Sequence, residues 1–149
     1  MPQQRHPNDL TPEAFQARVD ETWNRHDADA LAALFAEDGV MRLVATDETA
    51  RGRDQIRALA EGRLRAFPDW HLQVTDAFGV AGRVCAEFIL TGTNEGEFQG
   101  IAPTHRRIEV ELCSVFRMNP EGLAEEKVYF DSAALLRQLG LLPDPGRTP

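Results

Sequence analysis

The stretch GEFQGIAPTHRRIEVELCSVFRM, residues 96–118, decides the fold. From residue 108 onward it alternates apolar and polar side chains, a period of two that is typical of a β-strand with one buried face. A short arm precedes the strand and turns at Thr104-His105. We expect the apolar face to line a core or a cavity, in which Ser114 supplies a hydroxyl. The residues of that face are Ile108, Val110, Leu112, Ser114 and Phe116.

A turn and a second, antiparallel strand follow. Residues 119–122 read Asn-Pro-Glu-Gly, with proline and glycine where a β-turn favours them. Glu126 is predicted to be a lone carboxyl on an apolar wall, where desolvation would raise its pKa and suit it to proton transfer. The alternative is a Glu126 at the open end of the strand, hydrated or paired with an arginine. The more apolar face of this strand, residues 123–131, comprises Ala124, Glu126, Val128 and Phe130.

Asp131 is the second candidate catalytic residue. It directly precedes a helical pattern, so its alternative role is to cap the N-terminus of the last helix. Arg42, His71 and His105 are further polar residues considered for the cavity. His71 has the opposite parity to its apolar neighbours, which favours a solvent-facing side chain. His105 is expected either at the cavity mouth or exposed.

The chain before these strands is predominantly helical in pattern. Thr11-Pro12 predicts the start of an amphipathic helix that ends near Asn24. A second helix is predicted from Asp27 through Phe35 to Gly39, followed by a brief strand at 40–45 and a polar loop at 46–52. A third helix is predicted at 53–67, and alternating strands begin at Trp70. Helices followed by long antiparallel strands predict one α+β domain over residues 11–141, with tails at 1–10 and 142–149.

Composition excludes several classes of function. The 149-residue chain has a formal net charge of −8, which argues against nucleic-acid binding, and no stretch is apolar enough to span a membrane. Small arginine clusters at 51–53, 63–65 and 106–107 are interpreted as solvated rims. No nucleotide-binding or metal-ligand motif is present, so we expect neither cofactor nor metal. Cys85 and Cys113 are expected to be reduced core thiols of a cytoplasmic protein.

Four segments resemble the SnoaL-like polyketide cyclases, also called predicted ester cyclases, and the likeness spans about residues 12–140. The most specific is the arm, Gly96 to Arg106, which matches the family pattern G-x-F-x-G-[IM]-[AP]-P-T-x-[RK]. The resemblance implies a cone-shaped fold of the nuclear transport factor two-like superfamily, with a curved sheet whose concave side is covered by helices. It also implies homodimers through the outer sheet face and cofactor-independent chemistry. The other segments are WNRHDADALAALFAEDGV, FPDWHLQV and YFDSAALLRQLG.

The chain departs from the family pattern at the positions that carry the chemistry. In the cyclases the last strand typically reads H-x-D, with the aspartate as the general acid/base of an aldol closure. Here Glu126 stands at the histidine position and Val128 at the aspartate position, and Ser114 replaces a histidine on the preceding strand. The resemblance therefore implies the fold, whereas the standard cyclisation mechanism does not transfer.

Three hypotheses for the function stay open at this point. The first is an acid/base enzyme that binds an apolar, ring-sized molecule and uses Glu126. The second is a non-catalytic small-molecule-binding protein that has lost the catalytic aspartate, with Val128 in its place. The third is a dimeric interaction module whose core leaves no cavity of ligand size. The residues expected to line the cavity are Trp23, Phe35, Phe67, Trp70, Phe98, Ile101, His105, Leu112, Ser114, Phe116 and Val128.

Overall fold

A computed structural model describes residues 11–146, which form an α+β domain as predicted. The predicted tail at 1–10 and the last three residues of the predicted C-terminal tail lie outside the described residues. The elements in chain order are α1 (Pro12–Glu21), α2 (Ala28–Ala33), β1 (Phe35–Leu43), a single 3₁₀ turn (Val44–Thr46), β2 (Glu48–Arg51), α3 (Gly52–Ala66), β3 (His71–Val80), β4 (Arg83–Thr93), β5 (Arg107–Asn119), β6 (Gly122–Phe130) and α4 (Ser132–Gln138).

The strands form one six-stranded mixed sheet in the order β2-β1-β6-β5-β4-β3. Strands β3 to β6 form the antiparallel run that the alternating pattern predicts. β1 inserts beside β6 in the parallel direction, and β2 pairs antiparallel with β1 at the edge. Helix α1 packs against β3 and α3 packs against β1. The apolar side chains between these helices and the sheet form the core.

Helices α1 and α2 begin where the sequence predicts their caps. The side chain of Thr11 accepts a 3.1 Å hydrogen bond from the backbone N–H of Ala14, and Pro12 occupies the first turn. Asp27 caps α2 by accepting from Ala30 N–H. Each cap satisfies an N–H group that has no partner within its own helix.

The prediction for residues 27–52 is wrong in two places. Phe35 is predicted in the second helix and Gly39 at its end, but the helix ends at Ala33, and both residues lie within β1. A Cβ on Gly39 would lie 2.8 Å from the carbonyl oxygen of Leu123, so glycine permits the close approach of β6. The polar stretch predicted as a loop contains β2, which pairs with β1 despite its polarity.

The face assignment of β5 and β6 is correct except near the turn. Ser114 and Phe116 are buried on the inner face, and Glu126 pairs with Phe116 from the neighbouring strand. The register shifts at Arg117/Met118, which places Leu123 instead of Ala124 against the core. A bulge reverses side-chain parity, so simple alternation fails at that point.

Cys85 and Cys113 are free thiols on the outer face of the sheet and are only partly buried, so their assignment to the core is wrong. Their sulfur atoms lie 3.5 Å apart across β4 and β5. Burial and the Cys85 hydrogen bond raise the pKa of Cys113 to about 11. Among residues 11–146, no helix is both long and apolar enough to cross a membrane.

Candidate active site

A cavity of about 140 Å³ lies between the inner face of the sheet and helices α1, α3 and α4. At roughly 30 Å³ per water molecule this is room for about five, although the walls are almost entirely apolar. The predicted lining residues that the structure places there are Trp23, Phe67, Trp70, Phe98, Leu112, Ser114, Phe116 and Val128. Charged side chains in the lining are Arg18, Arg63 and Glu126.

Glu126 is buried in this wall, with 8% of the residue exposed. Its Oε2 accepts a 2.9 Å hydrogen bond from the hydroxyl of Ser114 on the adjacent strand. No lysine, arginine or histidine among the described residues forms an ion pair with it. The sequence-based alternative of an arginine-paired Glu126 is therefore not the arrangement found among the described residues.

The surroundings of Glu126 change its acidity. Burial in the apolar wall raises the pKa of Glu126 to about 7, and the Ser114 hydrogen bond opposes that rise. The desolvation effect is the larger of the two because a single neutral hydroxyl replaces the water that would solvate an exposed carboxylate. Near neutral pH, both the ionised and the protonated forms of Glu126 are populated. A group that takes a proton from a substrate and then returns it needs both forms.

Arg63 is a site residue that the sequence analysis misses. Its guanidinium is bound to Glu48 at 2.7 Å and lies 4.9 Å from the centre of the Phe98 ring. Its side chain is only 12% exposed, so the interpretation as a solvated rim is wrong. The available signal was its position seven residues after the buried Ile56, on the apolar face of α3.

Aromatic side chains form one wall of the cavity. Trp23 and Trp70 stack with ring centres 5.1 Å apart, and Phe67 contacts both Trp70 and Phe98 edge-on. The indole Nε1 of Trp70 is buried and has no hydrogen-bond acceptor among the residues described. The aromatic packing of this wall therefore has to offset the free-energy cost of an unsatisfied buried donor.

Three predicted lining residues do not contact the cavity. Phe35 is fully buried in a neighbouring core cluster, because it begins β1. Ile101 pairs with Phe98 within the arm and only Phe98 lines the cavity. His105 is exposed, with its Nδ1 2.8 Å from a carboxylate oxygen of Glu95.

Asp131, the other candidate catalytic residue, is exposed and caps α4. Its carboxylate accepts a 3.1 Å hydrogen bond from Ala134 N–H, and it is not part of the cavity lining. Arg42 and His71 are also exposed, His71 as its parity predicts. Within residues 11–146, no three His, Cys, Asp or Glu side chains are arranged to hold a metal ion.

The arm is fixed to the domain through one buried side chain. Asn94 is 1% exposed, and its amide group donates to the carbonyl oxygens of Ala66 and Gly96. Its side-chain oxygen accepts from the backbone N–H of Thr104. These bonds connect both ends of the arm to α3 and thereby position Phe98 over the cavity.

This geometry agrees with the family comparison. The family model of the SnoaL-like polyketide cyclases matches residues 13–139. The chain belongs to this family. The SnoaL-like fold explains the mixed sheet and the helices that cover its inner face, and solved relatives have the ketosteroid isomerase-like architecture. No functionally curated protein matches the sequence.

Solved structures similar to this SnoaL-like protein include three with at least 25% sequence identity. AclR from Streptomyces galilaeus, to which a hydroxylase activity is attributed, is 30% identical, with a TM-score of 0.74 and coverage of 89% of this chain and 87% of AclR. IdmH from Streptomyces antibioticus, a proposed polyketide cyclase, is 26% identical, with a TM-score of 0.71 and coverage of 88% and 99%. A Catenulispora acidiphila protein, crystallised with trimethylamine, is 25% identical, with a TM-score of 0.75 and coverage of 89% and 96%.

Proposed function

We propose that this protein is an acid/base enzyme that acts on a small, apolar cyclic molecule and transfers protons through Glu126. The observation that carries the proposal is a lone carboxyl in an apolar cavity, bonded only to the Ser114 hydroxyl among the described residues. The cavity of about 140 Å³ supports a role in binding a small ligand, and it is smaller than the ~300 Å³ that would count against an interaction module with a filled core.

The proposed chemistry is proton abstraction next to a carbonyl group. The ionised Glu126 removes a proton from the carbon beside the carbonyl, which leaves an enolate. The resulting carboxylic acid returns the proton at the same or another carbon, or after a new bond has formed. Between the two steps the Glu126 carboxyl exchanges its proton with solvent, so in D₂O the carbon receives deuterium.

The alternative is a binding protein without catalysis. Val128 supports it, because this residue lines the cavity at the position where the family pattern implies the catalytic aspartate. Under this alternative Glu126 would act only as a hydrogen-bonding group for a ligand. The two functions differ in whether a bound carbonyl compound exchanges protons.

The test is deuterium exchange into tetralone, an apolar bicyclic ketone with acidic protons beside its carbonyl. In D₂O, the protein is expected to accelerate loss of these proton signals over the buffer rate, as measured by NMR. E126Q should lose the acceleration, because an amide cannot accept the proton. E125Q is the matched control, since Glu125 lies on the outer face beside Lys127.

Two outcomes would contradict the enzyme. Equal acceleration by E126Q and by the unmodified protein would show that Glu126 is not the base. Binding of tetralone without any acceleration would favour the non-catalytic alternative.

A further inference from the structure

Arg63 places a cation at the wall of the proposed substrate cavity. It lies in the last turn of α3, and its guanidinium is held between the Glu48 carboxylate and the face of the Phe98 ring. Glu48 is itself fixed, because the same carboxylate oxygen accepts hydrogen bonds from Thr46 and Gln99. The position of the guanidinium is therefore set before any ligand binds.

Most of the hydrogen-bonding capacity of Arg63 is unused. A guanidinium has five N–H donors, and within residues 11–146 one of them meets an acceptor, the 2.7 Å contact to Glu48. A nearly buried guanidinium with unused N–H donors favours a planar anion such as a carboxylate. The two oxygens of a carboxylate can accept hydrogen bonds from two of these N–H groups at once.

Two strand spacings and two residues separate the Arg63 anchor from Glu126 along the sheet. Glu48, the ion-pair partner of Arg63, pairs with Leu43, and Leu43 pairs with Val128, which lies two residues after Glu126 on β6. Spacings of about 4.8 Å between strands and about 3.3 Å between residues give roughly 12 Å. Leu43 and Val128 line the cavity between Arg63 and Glu126. A ligand of two fused rings with one polar substituent has a suitable length for this span.

We propose that the substrate carries an anionic oxygen group, a carboxylate or an ionised phenol, which binds Arg63 while the reacting carbon lies near Glu126. This inference rests on the proposed function, because it places the substrate in the same cavity. Arg63 would then determine specificity, since it selects acidic over neutral ring compounds of equal size. The Arg18 side chain, also in the lining, adds positive charge to the wall.

The test compares two fluorescent probes with one skeleton, anilinonaphthalene sulfonate and the neutral phenylnaphthylamine. The sulfonate stands in for the substrate's anionic group. The unmodified protein should bind the sulfonate about tenfold more tightly than the neutral probe, because a charge-assisted hydrogen bond in a partly buried site has about this effect. R63M should remove the preference while it preserves affinity for the neutral probe.

Two controls separate Arg63 from its surroundings. R57M removes an exposed arginine of the same helix and should leave both dissociation constants unchanged. In R63M alone, the unpaired Glu48 carboxylate could repel the sulfonate probe. R63M/E48Q removes this negative charge as well, so loss of the preference for the sulfonate in the double variant cannot result from such repulsion. If the double variant regained the preference, repulsion would explain R63M and the inference would be wrong.

The outcomes also distinguish this inference from the proposed function. S114F should weaken binding of both probes, because the larger side chain occupies the cavity. Equal affinity of the unmodified protein for the two probes, with binding sensitive to S114F, would overturn the role of Arg63 alone. Binding insensitive to S114F would place the probes outside the cavity and would overturn the role of Arg63, whereas the proposed function would fall only if tetralone exchange did not depend on Glu126.

Discussion

The hydroxyl of Ser114 donates a 2.9 Å hydrogen bond to Oε2 of Glu126 across the β5–β6 pair. It is the one hydrogen bond to this carboxyl that the described residues provide. The carboxyl is thus oriented by a neutral group and otherwise surrounded by apolar side chains. This pairing leads to predictions about stability, pH dependence and ligand binding.

Glu126 should make the folded protein less stable as the pH rises from about 4.5 to about 7. Below this window the carboxyl is protonated in both states. Within it the unfolded chain ionises at the ordinary pKa of 4.5, while the folded protein keeps the proton because burial raises the pKa to about 7. Since the unfolded state then binds fewer protons, stability falls with pH, by roughly 3 kcal/mol when the window is complete.

The measurement is urea unfolding of the unmodified protein and E126Q at several pH values. The difference in unfolding free energy between the unmodified protein and E126Q should change from about pH 4.5 to about pH 7 and become constant above it. A difference that is independent of pH would show that the pKa of Glu126 is close to its ordinary value.

Ser114→Ala should raise the pKa of Glu126 further, because it removes the hydrogen bond that opposes the rise. The pH at which tetralone exchange reaches half its maximum should increase by roughly one unit. Ser132→Ala, in the first turn of α4, is the control and should leave the profile unchanged. A profile with the same midpoint in S114A would indicate that another group titrates.

Much of the fold and the position of Glu126 in the site follow from the sequence. The alternation in β4 and β5 identifies the buried face, and the same parity in β6 places Glu126 on it. These predictions succeed because each strand has one apolar and one polar face. Parity alone, however, does not show how deep a residue lies or which hydroxyl meets it.

The rest depends on contacts between distant segments. β2 is polar, and it forms a strand because β1 offers it a free edge. Arg63 becomes a cavity residue through Glu48 and Phe98, which lie far from it in the sequence. No pattern in the sequence around Arg63 predicts either contact, and arginine side chains are usually exposed.

Asp131→Ala should affect stability and not proton transfer. The carboxylate accepts from Ala134 N–H at the start of α4, and loss of such a cap costs about 1 kcal/mol. Asp27→Ala, at the corresponding position of α2, should have a similar effect. Thermal unfolding and tetralone exchange can be measured on the same samples. Loss of exchange in D131A at temperatures where it is folded would restore Asp131 as a catalytic candidate.

Ser114→Phe should reduce ligand binding more than it reduces stability. Ser114 is 2% exposed and lines the cavity, so the added ring has empty space to enter. We expect affinity for tetralone to fall more than tenfold, while overpacking costs about 1–3 kcal/mol of unfolding free energy. Calorimetric titration and urea unfolding give the two values. Equal losses in free-energy terms would mean that Ser114 packs in an ordinary core.

The outer face of the sheet should mediate a homodimer, as the family resemblance implies. Phe78 on β3 and Tyr129 on β6 are 57% and 43% exposed on this face, where a second copy of the chain would cover them. Val115 lies in the same row as Phe78, since both pair with Cys85. Val115→Glu should therefore introduce a charge into the interface and shift the protein to monomers in sedimentation velocity, whereas Thr49→Glu on the edge strand β2 should not. A protein that is monomeric without substitution would contradict the dimer, and a dimer unaffected by V115E would place the interface on another surface.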